Sequence, residues 1–100
     1  MEQKYLNKLE DLRKQIDVVD MELYVSVFNR IILTTEIGRL KKQYGVAEMS
    51  IERRKEIIDK FSQMAMEDTI PVYIVKDIFT KLIDLSVLEQ TLIINEKEHD

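Results

Sequence analysis

Cysteine is missing from this 100-residue chain, which excludes disulfides, thiol nucleophiles and thiolate metal sites. Histidine occurs once, as His99, inside the charged tail Glu96-Lys97-Glu98-His99-Asp100. A chain terminus is a poor place for catalysis, because nothing holds the imidazole still. Glycine occurs twice and proline once, so turns are few and the elements must be long. No apolar run approaches the roughly 20 residues of a membrane span. The start, Met1-Glu2-Gln3-Lys4, opens into a charged amphipathic pattern rather than an apolar signal region. A formal net charge of -4 disfavours non-specific nucleic-acid binding. These exclusions lead to the expectation of a cytoplasmic chain with neither membrane nor nucleic-acid partners.

What is present is helical periodicity. Apolar residues recur at heptad and i, i+3, i+4 spacing, which reads as all-α. A first helix is expected over about residues 4–43, a second over about 50–65 and a third over about 71–95, forming one domain over the whole chain. Gly45 fits a stop signal past the first helix. Ser50 suits the N-cap of the second, with Ile51, Ile57, Ile58, Phe61 and Met64 on its inner face. Pro71 fits the first turn of the third, whose apolar stripe is Ile74, Ile78, Leu82, Leu85, Leu88 and Leu92. At ~1.5 Å per residue the first helix would be roughly 60 Å long, too long for a compact globule of this size. A second copy of the chain is the simplest cover for its far half.

The seam of that first helix is broken twice. One register runs Leu9, Ile16, Leu23, Arg30, Ile37, and its companion runs Leu12, Val19, Ser26, Leu33, Leu40. Arg30 is permanently charged, and burying it unpaired would cost at least several kcal/mol. Positions three and four away are Ser26, Val27, Leu33 and Thr34, so its own helix offers no carboxylate. The anion must come from elsewhere in the protein or from a ligand. Lys41 shares the Arg30 face, three turns on; an ordinary end-of-helix lysine is the plainer alternative. Arg13 lies ~25 Å from Arg30 along the helix, so it reaches the same ligand only from a second, antiparallel chain; otherwise it is a surface residue. Arg53 and Arg54 follow the start of the second helix, where Glu52 and Glu56 could neutralise them as surface pairs. On the third helix Ser86 and Gln90 share a face. The alternative for them is a serine bonded back to its own helix and a glutamine at the edge of the stripe.

As an ordered set these residues resemble a known family. Leu12-Arg13-Lys14-Gln15-Ile16-Asp17-Val18-Val19-Asp20 resembles the opening of the all-helical, type II class of chorismate mutase. Arg30 with Glu36-Ile37-Gly38-Arg39-Leu40-Lys41 resembles the continuation of that helix. Glu52-Arg53 resembles the start of the family's second helix, and Ser86-Val87-Leu88-Glu89-Gln90 the motif of its third. The similarity covers nearly the whole chain without an insertion. It implies an intertwined homodimer of three-helix chains with two sites, no cofactor and no metal. It also implies a small-molecule substrate, chorismate, rearranged to prephenate for phenylalanine and tyrosine biosynthesis. Arg30, Arg53 and Ser86, with Arg13 from the partner chain, would hold its carboxylates. Lys41 and Gln90 would contact the breaking ether, and Gly38 would allow close packing near the ligand. The reaction transfers no proton and uses no nucleophile, so a site without His or Cys suits it.

The chain departs from the family pattern after Arg53. A glutamate is common there, and this sequence has Arg54; a loop acid of the family aligns with Ser50. Arg54 is expected either to pair with a nearby acid such as Glu56 or to donate to the substrate. Alternatives sharing the scaffold are an isochorismate pyruvate-lyase, a mutase of an amino-substituted chorismate, and a non-catalytic helical dimerisation or regulatory module. Ser86 favours the mutase over the lyase, and Arg54 would repel an ammonium at C4. Retention of Arg13, Arg30, Lys41, Arg53, Ser86 and Gln90 favours an enzyme over a decayed module. The ends of the chain suit a stand-alone enzyme.

Overall fold

The computed structural model describes residues 2–46 and 50–96. His99 and most of the expected loop after Val46 lie outside them. The described residues form three α-helices and no strand: α1 (Gln3–Gln43), α2 (Ile51–Glu67) and α3 (Val72–Ile94). None is long and apolar enough to cross a membrane. The chain divides into two compact units, Met1–Ile31 and Ile32–Asp100.

The first unit is helix alone. Side chains four apart stitch its surface: Gln3 Nε2 donates to Asn7 Oδ1 at 2.9 Å and Gln15 Nε2 to Asp11 Oδ2 at 3.0 Å. Lys14 and Glu10 form an exposed ion pair at 3.7 Å. Each such pair contributes only about 0.2–0.5 kcal/mol. The apolar side chains of the unit are uncovered, with Ile16 56%, Leu23 61% and Phe28 53% exposed.

The second unit holds the end of α1 together with α2 and α3. Its well-buried apolar residues are Ala65 on α2 and Ile83 on α3. Phe61 and Phe79 lock α2 to α3 as parallel rings, 3.9 Å between centroids and 5° between planes. Lys41 and Lys42 occupy the last turn of α1, where cations complement the helix dipole. Gly45 then takes φ +67°, a left-handed conformation that favours glycine. This returns the Val46 N–H to the Lys41 carbonyl at 2.8 Å. Ser50 caps α2: its Oγ accepts from the Arg53 N–H at 3.0 Å. Pro71 stands one position before the first turn of α3, as its N-cap residue.

Some residues expected on inner faces are not inside. Ile51 is 83% exposed, because at the first position of α2 it points off the end of the packing surface. Met64 is also exposed, and on α3 so are Ile74, Ile78, Leu88 and Leu92 of the apolar stripe. The two-helix contact of α2 with α3 covers one stripe of each helix, and the apolar pattern of α3 is wider than that stripe.

Candidate functional site

The strongest cluster lies in the second unit, where the last three turns of α1 run beside the end of α3. Thr34 meets Glu89, Gly38 meets Gln90 and Ile93, and Lys42 meets the Glu96 carbonyl. Numbering rises together on both helices, so the two segments run side by side in the same direction. Thr34, Gly38 and Lys41 are spaced four and three apart, which puts them on one stripe of α1.

Gly38 allows the approach. A Cβ at this position would stand 3.2 Å from the Gln90 Cα and 3.2 Å from the Ile93 Cδ1. The first of these is backbone and cannot swing aside. Gly38 is therefore the point where α1 touches α3, and Gln90 is the residue it touches.

Gln90 is only 7% exposed, and its Oε1 accepts from the Lys41 Nζ at 2.8 Å. An ammonium has donors and no acceptor, so the amide must present its oxygen to Lys41. The Gln90 NH2 then points away from Lys41 as a donor. A charged donor on the oxygen polarises the amide and strengthens the N–H groups at its other end. Lys41 is half-buried, and its ammonium is a charged donor group. Two adjacent donor groups of this kind suit an acceptor oxygen that gains negative charge. Lys41 also borders an open depression of about 430 Å³ lined by Leu40, Tyr44 and Val46.

Ser86 lies one turn before Gln90 on α3 and is 7% exposed. Its hydroxyl donates to the Leu82 carbonyl at 3.0 Å, the own-helix bond considered from the sequence. Turning that hydroxyl toward a ligand would exchange this bond for a new one.

The arginines of α2 sit differently from one another. Arg53 Nη1 pairs with Glu56 Oε1 at 2.9 Å on an exposed surface. Arg54 Nη2 reaches across to Asp84 Oδ1 on α3, also at 2.9 Å. Glu56, expected as the acid for Arg54, is instead taken by Arg53, three residues before it. At i+2 from Arg54, Glu56 faces away from it, whereas Asp84 is on the helix against which α2 packs. Arg13 and Arg30 belong to the first unit, Arg13 exposed and Arg30 half-buried.

Glu89 carried no signal in the sequence beyond its place inside the third-helix motif. It is half-buried, and its Oε2 accepts from Thr34 Oγ1 at 3.1 Å and Thr35 Oγ1 at 3.3 Å. The only hint available was a pair of hydroxyls on α1, which isolated helix periodicity does not connect to a residue on α3.

The described residues form an all-helical chain whose buried polar side chains, Thr34, Ser86 and Gln90, lie along the contact of α1 with α3, an arrangement suited to binding and charge stabilisation. The chain matches the chorismate mutase type II family over residues 12–91. It belongs to that family, and its activity class is that of an isomerase, chorismate mutase. It is also 29% identical over 79 residues to a chorismate mutase of Methanocaldococcus jannaschii, covering 79% of this chain and 80% of that protein. No solved structure matches significantly.

Proposed function

We propose that the protein, a single domain over residues 1–100, rearranges chorismate to prephenate for phenylalanine and tyrosine biosynthesis, at two sites in a cytoplasmic homodimer. Each site takes Arg30, Lys41, Arg53, Ser86 and Gln90 from one chain and Arg13 from the other. The observation that supports this reading is the part-buried Lys41–Gln90 pair set against Gly38.

The reaction is an isomerisation within one molecule. The C–O bond joining the enolpyruvyl group to the ring breaks as a C–C bond forms between the enolpyruvyl methylene and the ring. No proton is transferred, so the protein needs neither general base nor cofactor. Its first task is to hold the enolpyruvyl arm over the ring. Arginines do this by bidentate contacts to the two carboxylates, a role for Arg30, Arg53 and the partner chain's Arg13. Ser86 adds a hydroxyl to one carboxylate. For Arg53 this requires exchanging the exposed Glu56 for the substrate, an inexpensive step because such surface pairs are worth about 0–1 kcal/mol.

The second task is to stabilise charge gathering on the ether oxygen as its bond lengthens. Preorganised donors are most effective there, and Lys41 and Gln90 supply them. Arg54 stays on Asp84 and contributes to the packing of α2 on α3. The uncovered side chains of Ile16 and Leu23, seven residues apart on one stripe, support the dimer, since apolar side chains at helical spacing are stabilised by cover.

The test is loss of chorismate's ultraviolet absorbance with the product identified. Prephenate is expected. Salicylate and pyruvate from isochorismate would establish the lyase instead, and no turnover of either substrate would overturn both enzyme readings.

A further inference from the structure

We infer that Glu89 is a positioning residue: its carboxylate fixes the register of α3 against α1 and so holds Gln90 opposite Lys41. The inference deepens the function proposed above and assigns a role to the one half-buried acid of the cluster.

Consider what sets the register of two helices running side by side. Apolar contacts such as Ile93 on Gly38 hold the helices together but discriminate weakly between positions a fraction of an ångström apart. Hydrogen bonds discriminate strongly, because they weaken steeply with distance and angle. Polar ties at three places join the described residues of these segments. Thr34 and Thr35 donate to Glu89 at one end, and Lys42 donates to the Glu96 carbonyl at 2.7 Å at the other. Lys41 donates to Gln90 between them. The Lys42 tie is exposed, so water competes for it. The Glu89 tie is half-buried and doubled, with two hydroxyls on one charged oxygen, and hydrogen bonds to an ionised acceptor are roughly twice as strong as neutral ones.

Glu89 is also adjacent in sequence to Gln90. Whatever fixes the backbone at 89 fixes it at 90, less than a turn from the Gly38 contact. A carboxylate is otherwise an awkward choice near a pocket meant for a dianion. Two hydroxyl donors make it acceptable there, and they commit it to α1 rather than to the ligand.

The test uses full-length chains and two readouts. Glu89→Ala removes the acceptor, whereas Glu89→Gln keeps an acceptor oxygen without the charge. The double variant Thr34→Val with Thr35→Val removes the donors and leaves Glu89. Lost register predicts a kcat reduced about 10-fold or more in Glu89→Ala with KM within about 3-fold, because a misplacement of the order of 1 Å is costly to positioned groups. Glu89→Gln should recover most of that kcat. The double variant should reproduce the loss, and adding Glu89→Ala to it should lose little more.

The second readout needs no turnover. The side-chain amide resonance of Gln90 should move in Glu89→Ala and in the double variant, and stay near its original position in Glu89→Gln. An unmoved resonance with unchanged kcat in the folded variants overturns the inference. So does an equal fall in Glu89→Ala and Glu89→Gln, which would assign the role to charge alone. If Glu89→Ala does not fold, the threonine double variant and Glu89→Gln decide by the same criteria. Should the original chain not turn chorismate over, the resonance still tests the register, so failure of the function and failure of this inference are separable.

Discussion

The two units of the chain are unlike in what they bury. In the second, Thr34, Ser86 and Gln90 are as well shielded as the apolar Ala65 and Ile83. In the first, leucine, isoleucine and phenylalanine side chains stand in the open. The usual order, apolar inside and polar outside, is thus weak in both. Polar groups are normally buried only with partners, and here the partners exist: Glu89 for Thr34, Leu82 for Ser86, Lys41 for Gln90. The second unit holds a cluster of shielded polar groups, and the first holds exposed apolar side chains. The donor cluster draws on the later part of α1, Thr34 to Lys42, whereas Ile16, Leu23 and Phe28 precede it on the same helix.

Perturbing single residues sharpens that contrast. The largest effect is expected from Lys41→Ala. It removes a charged donor and leaves the Gln90 oxygen buried without its partner. Removal of one positioned donor of this type costs about 10²–10³ in kcat, measurable by initial rates on chorismate, with folding checked by circular dichroism. A loss of less than about tenfold would remove Lys41 from the chemistry.

Gly38→Ala should come next. The added methyl meets the Gln90 backbone at 3.2 Å, so the helices must separate or shift. Overpacking of this kind costs about 1–3 kcal/mol. Thermal unfolding should show a lowered Tm, and kcat should fall with it because Gln90 moves. An unchanged Tm would mean that the approach of α1 to α3 is looser in solution than 3.2 Å contacts permit.

Arg54→Ala should be the smallest. Its pair with Asp84 is partly exposed on both sides, and such pairs contribute about 0–1 kcal/mol. Stability should change within that range and kcat/KM within about threefold. A large fall in kcat/KM without loss of stability would move Arg54 from packing to substrate contact.

How far the sequence reached follows from the same contrast. Helix periodicity, Ser50 as a cap and Gly45 as a stop are local signals, readable within one turn of chain. Arg30, Ser86 and Gln90 were visible because each interrupts an apolar pattern on its own helix. The ties of Glu89 to Thr34 and Thr35, and of Arg54 to Asp84, were not visible. They depend on the register between helices that are 30 or more residues apart in sequence, which no i, i+4 rule encodes. The cover of Ile74, Ile78, Leu88 and Leu92 was not legible either, and all four are exposed in the single chain. An apolar stripe states that a surface asks for cover and leaves open whether its own chain provides it.

The central claim is that each site draws on two chains, with Arg13 supplied across the dimer to a pocket holding Arg30, and it has one direct test. Arg13→Ala and Arg30→Ala proteins, each purified and each expected to be nearly inactive, are mixed under conditions that exchange subunits. Half of the random dimers then carry one intact site, so activity should rise to about a quarter of the original value. Proven exchange with no recovery of chorismate turnover would contradict the shared site.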